Sequence, residues 1–409
     1  MKILLLHAYF SPENTADLHL DCDRYEAFAK AGFSMLCFTP SPVRGVSNDV
    51  RKKYRKIKNE TWYNGLLQIH RFKMIQESSH PFMRAFRYFL CCVKHFYYGV
   101  HDKSCDVMFV ISTPPIQGLM AALVKKIRKI PIIYNLQDVF PDSLVASGLA
   151  SQNGFLWKIG RKIENFTYKN SDVIIAVSND IRDNIIKKGV QASKIKVINN
   201  WVDTISVHPV LISDNPLFDK FQLNTNNFYV VYAGNLGYAQ NIDVILDAAS
   251  ILLSNKKIVF IIFGSGGIED TIKGNIVKRG LSNVKLFPLQ SYELVSCVYS
   301  IGNVCVVSCK KGFGRSAMPS KTWTIMSSGR PIIASFDDGE LKQIIEGNRC
   351  GLFSQAEDVD GFVNSLLYMF NNPSLCEEFG RNARQYVVNN LSKDRCTSQY
   401  VDIVREFQK

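Results

Sequence analysis

CVVSCKKGFGRSAMPSKTWTIMSSGRPIIAS, residues 305–335, reads as strand, loop, helix, turn and strand. NVCVVS (303–308) is a β-branched apolar run and KKGFGRSAMP is a basic loop carrying glycines. SKTWTIMSSG predicts a short helix stopped by Gly329, and PIIAS opens the next strand. A strand-to-helix turn aims backbone N–H groups and the positive end of a helix dipole outward, which suits a phosphate. The helix start at Pro319–Ser320 is expected to leave such N–H groups open, with Lys310, Lys311, Arg315 and Lys321 around them. Diphosphate binding is one expectation for this loop; an ordinary βα crossover with solvated lysines is the other.

Working outward, the 409 residues suffice for two full cores. The apolar run after Met1 is soon broken by Pro12, Glu13 and Asn14, unlike a secretory signal. Eleven cysteines, an odd number without CxxC pairs, argue for reduced thiols and against a disulfide framework or a zinc site. A cytoplasmic chain is expected. No spaced pair of aspartates in a strand-end loop suggests a metal, and Asp337–Asp338 reads as a turn.

Strand-like runs alternate with helical ones along the whole chain. KILLL, SMLCFT (34–39), LQIHRFK (67–73), VMFVIS (107–112), PIIYNL (131–136), DVIIAVS (172–178) and KIKVIN (194–199) form one series. FYVVYAG (228–234), IVFIIFG (257–264), VKLFP (284–288), NVCVVS and PIIAS form a second. Such alternation predicts α/β architecture: parallel sheets covered on both faces, in two doubly wound, Rossmann-like domains. The domains are expected over 1–205 and 206–392, with a polar linker near 208–227. A helix over 393–409 is expected to pack back on the first domain. Ligands of doubly wound sheets bind beyond the carboxyl ends of the strands, so a site is expected in a cleft that both domains face.

The net charge of +13 is uneven: residues 1–205 hold 29 Lys and Arg against 17 Asp and Glu. That asymmetry points to an anionic partner. RKKYRKIK (51–58) and the aromatic run FMRAFRYFLCCVKHFYYGV (82–100) stand out within the first domain. The second is helix-length, but its bases argue against a transmembrane span. An amphipathic helix lying on an anionic membrane fits, with Phe82, Phe86 and Phe89 inserted and Arg51, Lys52, Lys53, Arg55 and Lys56 attracting lipid headgroups. A core helix with snorkelling bases is the alternative. Nucleic acid is not expected, because no binding module accompanies the bases.

Several motifs together resemble retaining GT-B glycosyltransferases of family four. They are NLQDVFPDS (135–143), IENFTYKNSDVIIAVS (163–178), VINNWVD (197–203), YAGNLGYAQNID (232–243), the FGSG turn (263–266), FPLQSYELVSCVYS (287–300), MPSKTWTIMSSGRPIIAS (318–335) and NRCGLF (348–353). The chain is most similar to the bacterial O-antigen and capsule branch, near fucosaminyltransferases. The resemblance implies transfer of a sugar from a nucleotide diphosphate sugar, bound by the C-terminal domain, to an acceptor on the N-terminal domain. Retention of configuration is implied, with no cofactor beyond that substrate. An undecaprenyl-diphosphate-linked saccharide on the inner face of the cell membrane is the expected acceptor. A nucleotide-sugar 2-epimerase of the same fold and a catalytically inactive partner subunit are the rival readings.

Carried over residue by residue, the resemblance makes Gly234, Asn235, Leu236 and Gly237 the turn that approaches the diphosphate. Gly264, Ser265 and Gly266 are expected to let the backbone come close at the nucleobase. Phe287, Pro288 and Leu289 are expected at the nucleobase, and Arg315, Ser320 and Lys321 at the diphosphate. Relatives often carry Arg and Lys just after the first turn, where Tyr238, Ala239 and Gln240 stand here. Ser316 and Thr324 replace two glutamates that many relatives have, leaving Glu340 as a substitute carboxylate. A capping or solvated Glu340 is the alternative.

On the acceptor side, Asp138 at a strand end is a candidate base; a helix cap is the alternative. Glu13 is a second candidate, next to Asn14, Thr15 and Ala16, where relatives often carry a glycine pair. His7, at the end of the first strand, is the best-placed histidine, with a packed core histidine as the alternative.

Overall fold

A computed structural model describes residues 1–13, 18–76, 80–146, 151–316 and 318–408. The chain divides into two compact units, Met1–Asn199 with Asp394–Lys409, and Asn200–Lys393.

The first unit is built on eight strands: β1 (Lys2–Leu6), β2 (Ser34–Pro40), β3 (Asn59–Trp62), β4 (Leu67–Phe72), β5 (Val107–Ile111), β6 (Ile132–Leu136), β7 (Val173–Ala176) and β8 (Ile195–Val197). Their order is β3-β4-β2-β1-β5-β6-β7-β8. All neighbours are parallel except β3, which pairs antiparallel with β4 (Asn59 opposite His70). β3 has no apolar run, so periodicity does not reveal it; it is an edge strand with both faces partly exposed. The central strands are buried on both sides, as their continuous apolar runs require.

Helix Lys393–Arg405 belongs to this unit. Its Tyr400 donates a hydrogen bond to Asn135 Oδ1 at 3.3 Å, and the Arg24 guanidinium lies 4.7 Å from its ring centre.

The second unit carries six parallel strands: β9 (Phe228–Asn235), β10 (Ile258–Ser265), β11 (Val284–Phe287), β12 (Val304–Ser308), β13 (Ile332–Phe336) and β14 (Gly351–Gln355). Their order is β11-β10-β9-β12-β13-β14. The switch between β9 and β12 is where doubly wound sheets open a crevice at the carboxyl edge.

The segment near 208–227 is not a free linker. Helix Pro216–Lys220 buries Leu217 and Phe218, and Asn215 caps it by accepting from Leu217 N at 3.1 Å. His208 N and Val210 N donate to the hydroxyls of Ser296 and Ser300, binding the segment to the second unit.

Arg384 holds the same region from below. Its guanidinium donates to the carbonyls of Thr204 (2.7 Å), Val207 (2.9 Å) and Ser327 (2.9 Å). Hydrogen bonds from charged donors contribute about 1.5–3 kcal/mol each, and they share this one group. Arg384→Met is expected to destabilise the second unit by about 2 kcal/mol in urea denaturation. An unchanged midpoint would contradict the clamp.

Candidate active site

At the carboxyl edge of the second sheet, the ends of β9 and β10 run side by side, with Gly234 opposite Gly264 and Asn235 opposite Ser265. Gly234 has φ 141° and Gly266 φ 158°. A Cβ on Gly264 would sit 2.7 Å from the Gly234 carbonyl, and one on Gly266 2.4 Å from the Leu236 carbonyl. The two turns are therefore packed backbone on backbone. Leu236 N donates to Ser265 O at 2.9 Å, and Ile268 N to Leu236 O at 3.1 Å. Leu236 itself is fully buried beneath them, and Gly237 leaves room for the Asn235 amide.

Lys321 rises against this pair of turns. Its Nζ donates to Tyr232 Oη at 2.8 Å and to Gln240 Oε1 at 3.2 Å, and lies 4.0 Å from the Tyr232 ring centre. A Cβ on Gly234 would meet the ammonium at 3.2 Å. Both hydrogen-bond partners are neutral. Loss of water without a compensating carboxylate pulls the Lys321 pKa down to about 7. Tyr232 is pushed up by burial, so its phenol stays protonated. An ammonium with neutral partners and partial exposure can accept an anion. Gln240 serves as its second acceptor.

The helix after the basic loop corrects one expectation. It spans Lys321–Ser327, and its first turn closes on itself: Thr322 N donates to Pro319 O, and Trp323 N to Ser320 O. These two N–H groups are not open to a phosphate, and Ser320 makes no side-chain cap. The loop instead folds onto Asp337, whose Oδ2 accepts from Gly312 N and Gly314 N, both at 2.8 Å. Arg315 is exposed, and its Nε donates to Asp338 O at 3.1 Å. Lys310 Nζ lies 3.8 Å from the Tyr238 ring centre. The side chain of Ser316 lies outside the described residues.

Glu340 is buried at the first position of helix Glu340–Gly347, where its charge complements the helix dipole. Phe287 stacks on Phe221 with ring centres 4.1 Å apart, and Phe263 completes the cluster. The Pro288 carbonyl is taken by Gln290 Nε2 at 2.7 Å, while Leu289 is half exposed.

In the first unit, a cavity of about 250 Å³ opens where β1, β5 and β6 end. His7, Tyr9, Asp21, Arg24, Arg44, Thr113 and Gln137 line it. Of the sequence candidates, only His7 reaches it. Its Nε2 is hydrogen-bonded to the Tyr25 hydroxyl and its Nδ1 is 3.7 Å from Asp21. Burial, helped by the Arg24 charge, lowers its pKa to about 3. A neutral, engaged imidazole of such low basicity is a poor proton acceptor, so His7 is a structural histidine.

Glu13 is fully buried. One oxygen accepts from Phe10 N, the other from Val43 N and Arg44 N, at 2.9–3.0 Å. It clamps the β1 and β2 loops and thereby positions Arg44; it does not line the cavity. Asn14, Thr15 and Ala16 lie outside the described residues.

Asp138 follows β6 and is raised by burial, opposed by hydrogen bonds from the Ser143 side chain and Val139 N–H. These bonds do not cap a helix, since the next one starts at Asp142, and Asp138 also stands apart from the cavity lining. The carboxylate that does line it, Asp21, is bound to Arg24 at 2.7 Å. Gln137 directly precedes the candidate Asp138, whereas Asp21 and Arg24, eight and eleven residues beyond Glu13, carried no signal in the sequence.

Helix Pro81–His101 carries an inverted pattern. Arg87 and His95 are fully buried, whereas Phe82 is 81% exposed and Phe86 and Phe89 about half exposed. Lys52, Lys53, Arg55 and Lys56 are exposed and Arg51 partly so. No helix among the described residues is long and apolar enough to cross a membrane. No group of three or more His, Cys, Asp or Glu among the described residues is placed to hold a metal ion.

Two mainly parallel α/β units, one with a cationic, glycine-lined turn at its sheet edge, suit an enzyme that binds an anionic ligand. The family comparisons make the class specific. Glycosyltransferase Family 4 matches residues 25–205, and glycosyl transferases group 1 matches residues 213–386. The chain belongs to the GT-B glycosyltransferases that carry these two domains. It is 25% identical over 288 residues to the putative colanic acid biosynthesis glycosyl transferase WcaI of Escherichia coli, covering 69% of this chain and 70% of that protein.

Among solved structures, sucrose-phosphate synthase from Thermosynechococcus elongatus superposes with a TM-score of 0.81 at 15% identity, covering 99% of this chain and 98% of that one. Anabaena Alr3699/HepE in complex with UDP gives 0.74 at 16% identity, covering 99% and 100%. At these identities the two structures bear on the fold alone.

An anion on Lys321 favours the charged lysine, so binding is full below about pH 7 and weakens as pH rises above it. Sulfate keeps its charge over this range. The rise in melting temperature caused by sulfate is expected to shrink from about pH 6 to about pH 8.5 in the wild type. In Lys321→Ala it should be small and flat. An equal decline in that variant would place the anion elsewhere.

Proposed function

We propose that this glycosyltransferase moves a sugar from a nucleotide diphosphate sugar, bound on the second unit, to a lipid-linked or surface-polysaccharide acceptor, with retention of configuration. The single observation that carries the donor side is the Lys321 ammonium, desolvated beside Gly234, its hydrogen-bond partners among the described residues being the neutral Tyr232 and Gln240. Negative charge grows on the leaving diphosphate as the glycosidic bond breaks, and a fixed cation there lowers the barrier. The UDP bound by the Anabaena structure and the colanic acid assignment of the E. coli relative support this reading.

Gly234, Asn235 and the Gly264–Gly266 turn let the backbone approach the diphosphate, with Arg315 at the rim. Phe287 and Leu289 offer an apolar seat for the base, and Glu340 is a candidate contact to the sugar or ribose. On the first unit, the cavity walled by Tyr9, Arg44 and Gln137 is assigned to the acceptor.

The acceptor is read as an undecaprenyl-diphosphate-linked saccharide, reached from the inner membrane face by a peripheral protein. Helix Pro81–His101, turning its phenylalanines to solvent, and the basic run 51–58 support that placement. Each base near an anionic surface adds roughly 1 kcal/mol.

Transfer from a panel of nucleotide sugars to a lipid-linked acceptor tests the whole reading, and the anomeric configuration of the product tests retention. Lys321→Ala is expected to lower turnover by about 10²–10³-fold. Asp138→Asn keeps an acceptor for Ser143 and Val139 and should change turnover by less than about tenfold, since Asp138 does not line the cavity. A Lys321→Ala enzyme with normal turnover would remove the lysine from the mechanism.

A further inference from the structure

The geometry points to a second membrane-contacting surface, at the start of helix Phe155–Asn170 in the first unit. It deepens the membrane reading above and rests on it. Phe155 is 78% exposed, Leu156 59% and Ile159 41%, three large apolar side chains within five residues of one helix start. Lys158 and Lys162 are exposed among them, and Trp157 is partly exposed. No acidic residue precedes Glu164 in this helix, and Glu164 is buried on Arg161 and Lys188. Apolar tips flanked by lysines and free of acids are the composition of a helix lying at an anionic lipid surface.

The helix is held rigidly from beneath. A Cβ on Gly160 would stand 2.7 Å from Pro141, so the backbone packs directly on the loop after β6.

Topology sets where this patch lies. The connections β4 to β5, β5 to β6 and β6 to β7 all step in one direction across the sheet. Right-handed crossovers then put helices Pro81–His101, Gln117–Arg128 and Phe155–Asn170 on one face. They pack side by side in that order. Each returns to the amino edge of the sheet before the next parallel strand, so each begins at the carboxyl edge.

The exposed starts of the first and third helices therefore share one face and one edge, about 16–20 Å apart by helix-packing distances. The middle helix begins with buried Gln117 and Gly118 and does not intrude. The basic run 51–58 leaves from the end of β2 and returns at Asn59, beside His70 near the end of β4, so it lies at that edge too. Two apolar contacts and a basic patch on one edge fix an orientation, which a single helix lying on a membrane cannot do. The edge facing the lipid is the one where the cavity lined by Tyr9, Arg44 and Gln137 opens.

Co-sedimentation of the full chain with phosphatidylcholine vesicles, with and without phosphatidylglycerol, tests this. Three variants are compared with wild type: Phe155→Ser/Leu156→Ser/Ile159→Ser, Phe82→Ser/Phe86→Ser/Phe89→Ser, and Lys158→Gln/Lys162→Gln. All substituted side chains are exposed, and circular dichroism verifies folding. Each serine variant is expected to lose about tenfold in vesicle affinity, at low and high salt alike. The glutamine variant should lose affinity for anionic vesicles only.

If the 155–159 variant binds like wild type while the 82–89 variant does not, the second contact is overturned and the membrane reading stands. If wild type binds no vesicles, both fall. If the 155–159 variant changes only the elution volume on size exclusion, the patch is a protein interface and the proposal is wrong.

Discussion

Parallel strands cannot be joined by tight turns. After each strand the chain must leave the carboxyl edge, form a covering element, and return to the amino edge. This constraint organises both units. It explains the strand order in each sheet, the burial of the central strands on both faces, and the gathering of loops and helix starts at one edge. The glycine-lined turns of β9 and β10, the cavity beyond β1, and the exposed helix starts at Phe82 and Phe155 all lie where the topology sends the chain out of a sheet.

Within that frame the site of the second unit depends on an uncompensated charge. Removing a lysine ammonium from water costs several kcal/mol unless a partner charge offsets it. Two hydrogen bonds from a charged donor return part of that cost. The hydroxyl of Tyr232 and the amide of Gln240 supply them, and neither neutralises the ammonium. The fold holds a cation poised beside a bare glycine backbone. A carboxylate in the place of Gln240 would raise the Lys321 pKa and compete with any anionic ligand. The neutral residue is what keeps the charge available.

Much of the fold was legible because buried parallel strands are spelled as continuous apolar runs, such as KILLL and VMFVIS. β3 was not, because NETW at a sheet edge needs no apolar face. The 208–227 segment looked polar, yet its Leu217 and Phe218 suffice to fold it onto the second unit. Lys321 was legible from its place in the basic loop. Its partners were not, because Tyr232 and Gln240 lie more than 80 residues away and meet it only through β9 and β12 pairing. Glu13 and His7 misled for a common reason: strand-end position shows proximity to an edge but not whether a side chain is already engaged, by backbone N–H groups for Glu13 and by the Tyr25 hydroxyl for His7. The inward turn of Arg87 and His95, which frees the phenylalanines of that helix, is equally invisible to a hydropathy pattern.

The central claim is that the second unit holds a nucleotide diphosphate through Lys321. Its most direct test is calorimetric titration of wild type and Lys321→Ala with UDP, GDP, ADP and CDP at pH 6.5. At least one nucleotide should bind the wild type, and its affinity should fall by about tenfold or more in the variant, the scale of one lost charge-assisted contact. Equal affinity in the two proteins, or binding of none of the nucleotides to the wild type, would contradict it.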